Sequence, residues 1–436
     1  MSDSIPNPPF NPQGPGPTPP PAQNAEMPQV VPPPRPPSAP RKPPYVPKTR
    51  VGRWLYGVFS PVIALVRLVL RIATVLLVAL VVFLGLCALL SLNATFPGQA
   101  DPSYVPKGYI AGAYHVHSTA SDGRGSAWDI AQAAKKAGLS FVILTDHNLT
   151  EPPAPHYEDG VLLIHGTELS TAQGHLVRLG GWRPLTPGEL HGKSLQKVVE
   201  LGGIGFIAHP VQSKMPWTDW NGAGAAAGLE LYSSDTMLRE AQHAPFSRLL
   251  PALGAYPVNP TYALMSLVHE QEDTSRRLME ISAFSPKVAL CAEDAHGIPS
   301  YEAEFKVMAH FLPVKEGGLP EDAREAAKWV LQSLSHGEGF CVFRPLGGGA
   351  GEFSIDGLDG PRRAKVGSKL RVLLPPADAL ETRLKVTGFG TIEADGRTVR
   401  PTKAGPLLIE VWRQAPGLMG PDWRPWIVPS PILVHD

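Results

Sequence analysis

Residues 72–92 are 21 consecutive positions without a charge, and no water-soluble core of ordinary size takes up such a run. As a helix it matches a hydrocarbon layer of about 30 Å, so the chain is expected to cross a membrane there. Lys42, Lys48, Arg50, Arg53, Arg67 and Arg71 precede the run, and the first basic residue after it is Lys107. The positive-inside rule then puts the N-terminal arm in the cytoplasm and everything after residue 92 outside, periplasmic in a bacterium. The basic stretch ahead of the run is long for a signal peptide and no Ala-x-Ala site follows, so a retained signal anchor is expected. Residues 54–71 contain Pro61, Arg67 and Arg71, which fits an interfacial lead-in better than a second crossing that would make a hairpin.

Upstream, 19 of the 49 prolines fall before Thr49. Such a segment lacks backbone donors and apolar residues, so residues 1–53 read as an extended, disordered cytoplasmic arm. A spacer is the primary reading, with a proline-reading protein partner as the alternative. Lys plus Arg equal Asp plus Glu at 39 each, which argues against a constitutive nucleic-acid partner. Cys87 lies in the apolar run, leaving Cys291 and Cys341, too few for a disulfide framework. Two buried thiols are expected, with a bridge between them as the alternative in an oxidising compartment.

From residue 109 short apolar runs alternate with helical patterns. Strands are expected at 109–117, 141–145, 161–168, 175–179, 205–208, 228–232 and 288–293. Helices are expected at 127–137, 236–250, 262–284, 301–311 and 322–335. That alternation implies an α/β fold with a largely parallel sheet, open or closed as a barrel, over 109–343 after a linker at 93–108. Past residue 350 the texture changes to turn clusters such as Asp356-Gly357 and Asp395-Gly396 between short strands. A small immunoglobulin-like β-sandwich over 350–436 is expected. The glycine cluster at 347–351 lacks the lysine and strand-to-helix context of a phosphate loop and reads as an interdomain turn.

The chemistry sits at the strand ends. His115 and His117 close the first strand, two residues apart and therefore on one side. Asp122 follows in a turn. Asp146 and His147 end the second strand, Glu168 the third, His209 the fifth, and Asp294 and His296 the last, while His175 opens the fourth. Any one of these has a bland reading as a satisfied core residue. Together six of the 14 histidines, with Asp122, Glu168 and Asp294, come to one edge, where parallel α/β folds place their sites. Imidazole and carboxylate donors without thiolates suit zinc, manganese or iron. Nine donors exceed one ion's needs, so two or three divalent ions are expected, with hydrolysis through metal-bound hydroxide as the natural chemistry.

These motifs resemble the PHP (polymerase and histidinol phosphatase) family of metal-dependent phosphoesterases: His115-Val116-His117-Ser118 with Ser121-Asp122-Gly123, Thr145-Asp146-His147-Asn148, Glu168, His175, Ala208-His209-Pro210 and Asp294-Ala295-His296. The resemblance implies a distorted seven-stranded β/α barrel with a trinuclear centre. It would assign His115, His117, Glu168 and Asp294 to one ion, and Glu168, His175 and His209 to a second. Asp122, His147 and His296 would hold the third. The aspartate at 122 resembles the branch acting on nucleotide and RNA phosphates. Trp217-Thr218-Asp219-Trp220 and Pro425-Trp426-Ile427-Val428 resemble a membrane-associated branch with a C-terminal β-domain, whose relatives include a carbamate-ester hydrolase.

The expected activity is hydrolysis of a small phosphate ester or nucleotide. Glu168 would bridge ions, Asp294 would ligate, and His296 or a bound water would protonate the leaving group. Arg124 and Lys214 are the candidate phosphate contacts, and Trp217 and Trp220 a candidate pocket wall. Tyr232 and Asp235 are candidate rim residues. The competing readings are a carboxyl- or carbamate-ester hydrolase on the same site, and a non-catalytic surface binding or assembly module.

Overall fold

The computed structural model describes residues 47–94, 96, 104–181, 184–186, 188–189, 194–314, 317–347, 353–374, 381–417 and 420–436. Most of the proline-rich arm, the middle of the linker and most of the 347–351 glycine cluster lie outside the described residues. Helix α1 (Arg50–Ser91) runs 42 residues without interruption through Pro61. Residues 54–71 and 72–91 thus lie on one helix. Its length and composition are those of a helix able to cross a membrane, and only Cys87 and Ser91 are buried along it. The exit of α1 is held by specific contacts. Asn259 donates to the carbonyls of Ser91 (2.8 Å) and Ala94 (3.2 Å), groups that a helix C-terminus leaves without partners. Gly254 abuts the helix so closely that a Cβ there would lie 2.8 Å from the Leu84 carbonyl oxygen.

By contact the chain divides into residues 1–72 and 73–436. The second unit is mixed α/β. Strand β1 (Tyr109–Val116) is followed by α2 (Ala127–Lys136), β2 (Phe141–Leu144), β3 (His156–Glu158) and β4 (Val161–His165). β1, β2 and β4 are parallel neighbours, and β3 folds back on β4. Ser126 and Asp129 form a capping box at α2, which buries Ile130, Ala131 and Ala134 as its sequence period requires. A second sheet holds β5 (Thr167–Thr171), β6 (Gly174–Leu179), β7 (Ile204–Ile207), β8 (Gly228–Ser233) and β9 (Val288–Ala292), in that spatial order. Between β6 and β7 lies α3 (Leu195–Glu200); α4 (Ser234–Gln242), α5 (Leu250–Ala255), α6 (Pro260–Leu267) and α7 (Glu272–Ile281) separate β8 from β9. Then come α8 (Tyr301–Phe305), β10 (Met308–Pro313), α9 (Ala323–His336) and β11 (Phe340–Phe343).

Several expectations are corrected. The strand expected over 161–168 breaks at Gly166, and its halves β4 and β5 belong to different sheets. A Cβ at Gly166 would come within 2.4 Å of Leu179, so the chain can turn there only as glycine. The sheet is not largely parallel: β5, β6 and β7 pair antiparallel, as do β1 and β10. The two sheets meet at isolated bridges, His147 with Glu168 and Val116 with Ala295. The helix expected over 301–311 stops at Phe305, and β10 follows because Met308–Pro313 is apolar on both faces and lies against β1. The long helix expected over 262–284 is two helices, α6 and α7.

Alternate residues of β1 face different clusters. Ile110 and Tyr114 join an interior that includes Phe141, Phe206, Leu290 and the α9 residues Val330 and Leu331. Ala111, Ala113 and Val116 face the other way, with Ile130 and Ala134 of α2. Both faces are therefore buried, as the parallel run of β1, β2 and β4 requires.

The expected self-contained sandwich is also corrected. The C-terminal strands are β12 (Ser354–Asp356), β13 (Arg363–Lys365), β14 (Leu370–Leu373), β15 (Thr382–Gly388), β16 (Gly390–Ile392), β17 (Thr398–Pro401), β18 (Gly405–Ala415), β19 (Asp422–Pro429) and β20 (Ile432–His435). β12, β14, β17 and β16 make a four-stranded sheet, but β19 pairs with β11, so β18, β20 and β13 extend the sheet of β1 and β10. Cys291 of β9 and Cys341 of β11 form a disulfide between the two large sheets, in place of the two thiols expected.

Candidate metal centre

The strand ends that carry the donors are irregular. β1 and β2 shift register between Tyr114 and Val116, so His115 sits in a bulge. His115, His209 and Asp294 all have left-handed backbones (φ 67°, 25° and 45°), a conformation costing of order 1–3 kcal/mol at each. That strain turns three side chains toward one point. The turn bearing Asp122 is built by Asp146, which accepts from the Ser118 amide (2.8 Å), the Ser118 hydroxyl (2.7 Å) and the Ser121 hydroxyl (2.7 Å). Gly123 lets it close, since a Cβ there would lie 2.1 Å from the His117 carbonyl oxygen.

Glu168 is the hub. Its Oε2 lies 3.4 Å from His115 Nε2, 3.4 Å from His117 Nε2 and 3.1 Å from His147 Nδ1. Its Oε1 lies 2.6 Å from His175 Nδ1 and 2.9 Å from His209 Nε2, and those two nitrogens are 3.3 Å apart. Asp294 Oδ1 is 3.5 Å from His115 Nε2 and 3.4 Å from His117 Nε2, which are 3.1 Å from each other. Asp122 faces His117 Nδ1 (3.4 Å), His147 Nε2 (3.6 Å) and His296 Nε2 (3.4 Å). His115, His117, Glu168, His209 and Asp294 are buried; His147, His175 and His296 are half-buried, and Asp122 is exposed.

These spacings fit divalent ions. Four donors about 2.05 Å from a tetrahedral ion lie about 3.3 Å from one another. The gaps among His115, His117, Glu168 and Asp294 that involve a histidine run from 3.1 to 3.5 Å. Four groupings of donor atoms each lie within 4.8 Å: His117, Asp122, His147 and His296; His115, Glu168 and His209; His115, His117 and Asp294; His147, Glu168 and His175. Two imidazole nitrogens, His147 Nδ1 and His209 Nδ1, are buried without a hydrogen-bond partner.

Burial opposes charge on His115, yet Glu230, Asp294 and Glu168 outweigh it and hold its pKa well above the usual imidazole value. His209, also desolvated, is pushed up to about 9 by its hydrogen bond to Glu168 and by the surrounding carboxylates. Burial would raise Glu168 and Asp294, but the imidazoles hold both below the usual carboxylate range. Burial, in contrast, holds His147 below the usual imidazole value, and a cation entering the cluster displaces the protons that the carboxylates hold on His115 and His209.

Glu230 on β8 escaped sequence reading. It is fully buried, its Oε1 accepts from His115 Nδ1 at 2.5 Å, and its Oε2 accepts the His209 amide at 2.7 Å. It fixes the His115 tautomer with Nε2 free to bind a cation, and aligns two ligand-bearing strands at once. The available signal was an acidic residue between leucines in an apolar strand. Glu230→Gln is expected to weaken divalent-metal affinity about 10–100-fold, read by competition with a chromophoric chelator. Affinity unchanged within twofold would deny Glu230 this role.

Of the expected substrate contacts, Lys214 lines the cleft over the donors, together with Arg239, which sequence reading did not single out. Asp235 also lines it and holds Arg239 (2.5 Å) and Gln212 (2.6 Å). Arg124 is exposed and does not line the cleft; its amide donates to the His296 carbonyl at 3.0 Å. Trp217 is buried on Gly174 and Trp220 lies under Arg277, so neither walls the site. Tyr232 is buried and donates to Glu410 at 2.7 Å rather than forming a rim.

No family model matches the chain. An uncharacterised protein of Methanocaldococcus jannaschii is 29% identical over 112 residues, covering 22% of this chain and 65% of that protein. Among solved structures, a two-domain protein from Bacteroides vulgatus, described as containing a predicted PHP-like metal-dependent phosphoesterase, aligns over 74% of this chain and 98% of its own, with 14% identity and a TM-score of 0.35. An amidohydrolase from Chromobacterium violaceum aligns over 30% of this chain and 82% of its own, with 17% identity and a TM-score of 0.22. At these scores the likenesses assign neither fold nor activity.

Proposed function

We propose that the chain is a membrane-anchored, metal-dependent hydrolase of phosphate esters. The observation that carries this reading is the set of nine donors, Glu168 among them, gathered at the spacing that divalent ions impose. His115, His117, Glu168 and Asp294 would hold one ion, Glu168 with His175 and His209 a second, and Asp122, His147 and His296 a third. Such ions supply a Lewis acid for a phosphoryl oxygen and acidify a water for attack.

The chain's own residues supply the rest. Lys214 and Arg239 flank the cleft and would draw in and orient an anionic ester. His296 donates from Nδ1 to the Asp294 carbonyl (2.8 Å), which leaves Nε2 at the cleft as its ligand or proton-shuttling atom. In hydrolysis a water oxygen bonds to phosphorus, the bond from phosphorus to the leaving oxygen breaks, and that oxygen takes up a proton. The membrane reading rests on α1 and the basic flank before it, with the folded part outside the cytoplasm. The Cys291–Cys341 bridge agrees with an oxidising compartment.

Elemental analysis of the full-length chain in detergent is the test, together with initial rates on a phosphate monoester, a phosphodiester and an aryl carbamate. Between about two and three divalent ions per chain with phosphate release is the expected result. Turnover of the carbamate alone would keep the site and replace the substrate class. Absence of bound divalent ions after metal reconstitution would overturn the reading.

A further inference from the structure

A second cavity, of about 270 Å³, opens beside the metal centre and shares Asp122, Asp235, Arg239, Asp294 and His296 with the cleft over the donors. Its walls are otherwise mostly apolar: Leu264 and Leu267 of α6, Val268, Met308 of β10 and Phe343 of β11 line it. The donor cluster does not need this space. One lining carboxyl belongs neither to the cluster nor to the Asp235–Arg239 pair. Glu304 on α8 is 6% exposed, and its Oε2 is buried without a hydrogen-bond partner. A buried polar atom left so costs about 1–3 kcal/mol, which marks it as a group with a missing partner.

We infer that this cavity takes the leaving group of the substrate, an apolar ring-sized alcohol that carries one further oxygen, and that Glu304 hydrogen-bonds that oxygen. The inference rests on the ester-hydrolase reading and names its substrate class. An apolar cavity of about 150 Å³ already admits benzene, so the space here holds a substituted ring. A sugar or nucleoside fits less well, because on the side not shared with the cleft its several hydroxyls or ring nitrogens would meet Leu264, Leu267, Val268, Met308 and Phe343. Burial, reinforced by Glu293, Asp294 and Asp235, pushes the Glu304 carboxyl well above its usual range, so it is protonated and donates to an ether, carbonyl or hydroxyl oxygen. With phosphorus held over Asp122, Asp294 and His296 at the shared wall, the leaving group would enter the cavity.

The test uses the full-length protein in detergent with methyl, benzyl and 4-methoxybenzyl phosphates, and calorimetric binding of 4-methoxybenzyl alcohol. Benzyl phosphate is expected to exceed methyl phosphate in kcat/KM by about tenfold or more. Leu264→Trp, which fills the cavity, collapses that ratio toward one and abolishes alcohol binding. Glu304→Leu removes the advantage of the methoxy group while keeping the advantage of the ring, and it answers the question if the tryptophan variant fails to fold. Alcohol binding lost in Leu264→Trp, with no phosphate ester turned over, upholds the cavity and rejects the phosphate reading. Equal rates on methyl and benzyl esters, or no binding of the alcohol to the wild type, overturn the proposal.

Discussion

Glu168→Gln is expected to reduce hydrolysis about 10²–10⁴-fold and to lower bound metal, with the far-UV circular dichroism unchanged. The amide keeps the shape of the carboxylate but removes the charge that five imidazoles converge on, at distances from 2.6 to 3.4 Å. It also presents an NH₂ group either to His115, His117 and His147 or to His175 and His209, where an acceptor is needed. Withdrawing one partner from a buried charge cluster costs about 3–5 kcal/mol, and each 1.4 kcal/mol is a factor of about ten. The side chain is 1% exposed, so water does not replace the lost contacts. Initial rates and elemental analysis on the purified variant give the answer. Full metal content with rates within threefold of wild type would remove Glu168 from the centre of the site.

The donors were legible in the sequence because residue type and position coincide. Imidazoles and carboxylates at the ends of apolar runs are few, and the expected parallel order would bring those ends to one edge; the donors do meet, although β5, β6 and β7 pair antiparallel. The backbone devices that aim them were not legible. The alternation argument for His115 and His117 assumes a regular strand, whereas His115 sits in a bulge with a left-handed backbone and His117 lies past the end of β1. Both imidazoles converge, for a reason that a period of two does not contain. Gly166 reads as an ordinary glycine until Leu179 and Arg178 are placed against it. Glu304 has no sequence mark of burial and Glu230 only its leucine neighbours, since an acid in a strand or a short helix usually faces water. Tertiary packing made them interior, and sequence period speaks only to the local element. β10 shows the same limit, because an apolar run buried on both faces has no period that separates strand from helix.

The Cys291–Cys341 bond is the clearest case, and its removal is the second large expected effect. Spacing alone could not pair the two cysteines, because their meeting depends on β9 and β11 converging across β10. There His310 Nε2 lies 3.1 Å from the Cys291 amide and 2.9 Å from its carbonyl oxygen. The bond joins the sheet that carries Glu168, His175 and Glu230 to the sheet that carries His115, and so it ties together the two halves of the donor set. Closing a loop of 50 residues removes unfolded-state entropy worth about 4 kcal/mol. Both sulfurs are buried, so a reductant reaches them only when the protein opens. The comparison is therefore wild type refolded with and without reductant, beside the Cys291→Ala/Cys341→Ala variant, followed by thermal unfolding. A fall in Tm on the order of 10 °C is expected for the reduced protein, and a further fall for the alanine pair, which adds the loss of buried volume. Metal affinity is expected to fall with it, because donors on two untied sheets must be ordered at the moment of binding. Equal Tm values in oxidised and reduced protein, with two alkylatable thiols in the unreduced sample after denaturation, would show that the sheets are held by packing alone.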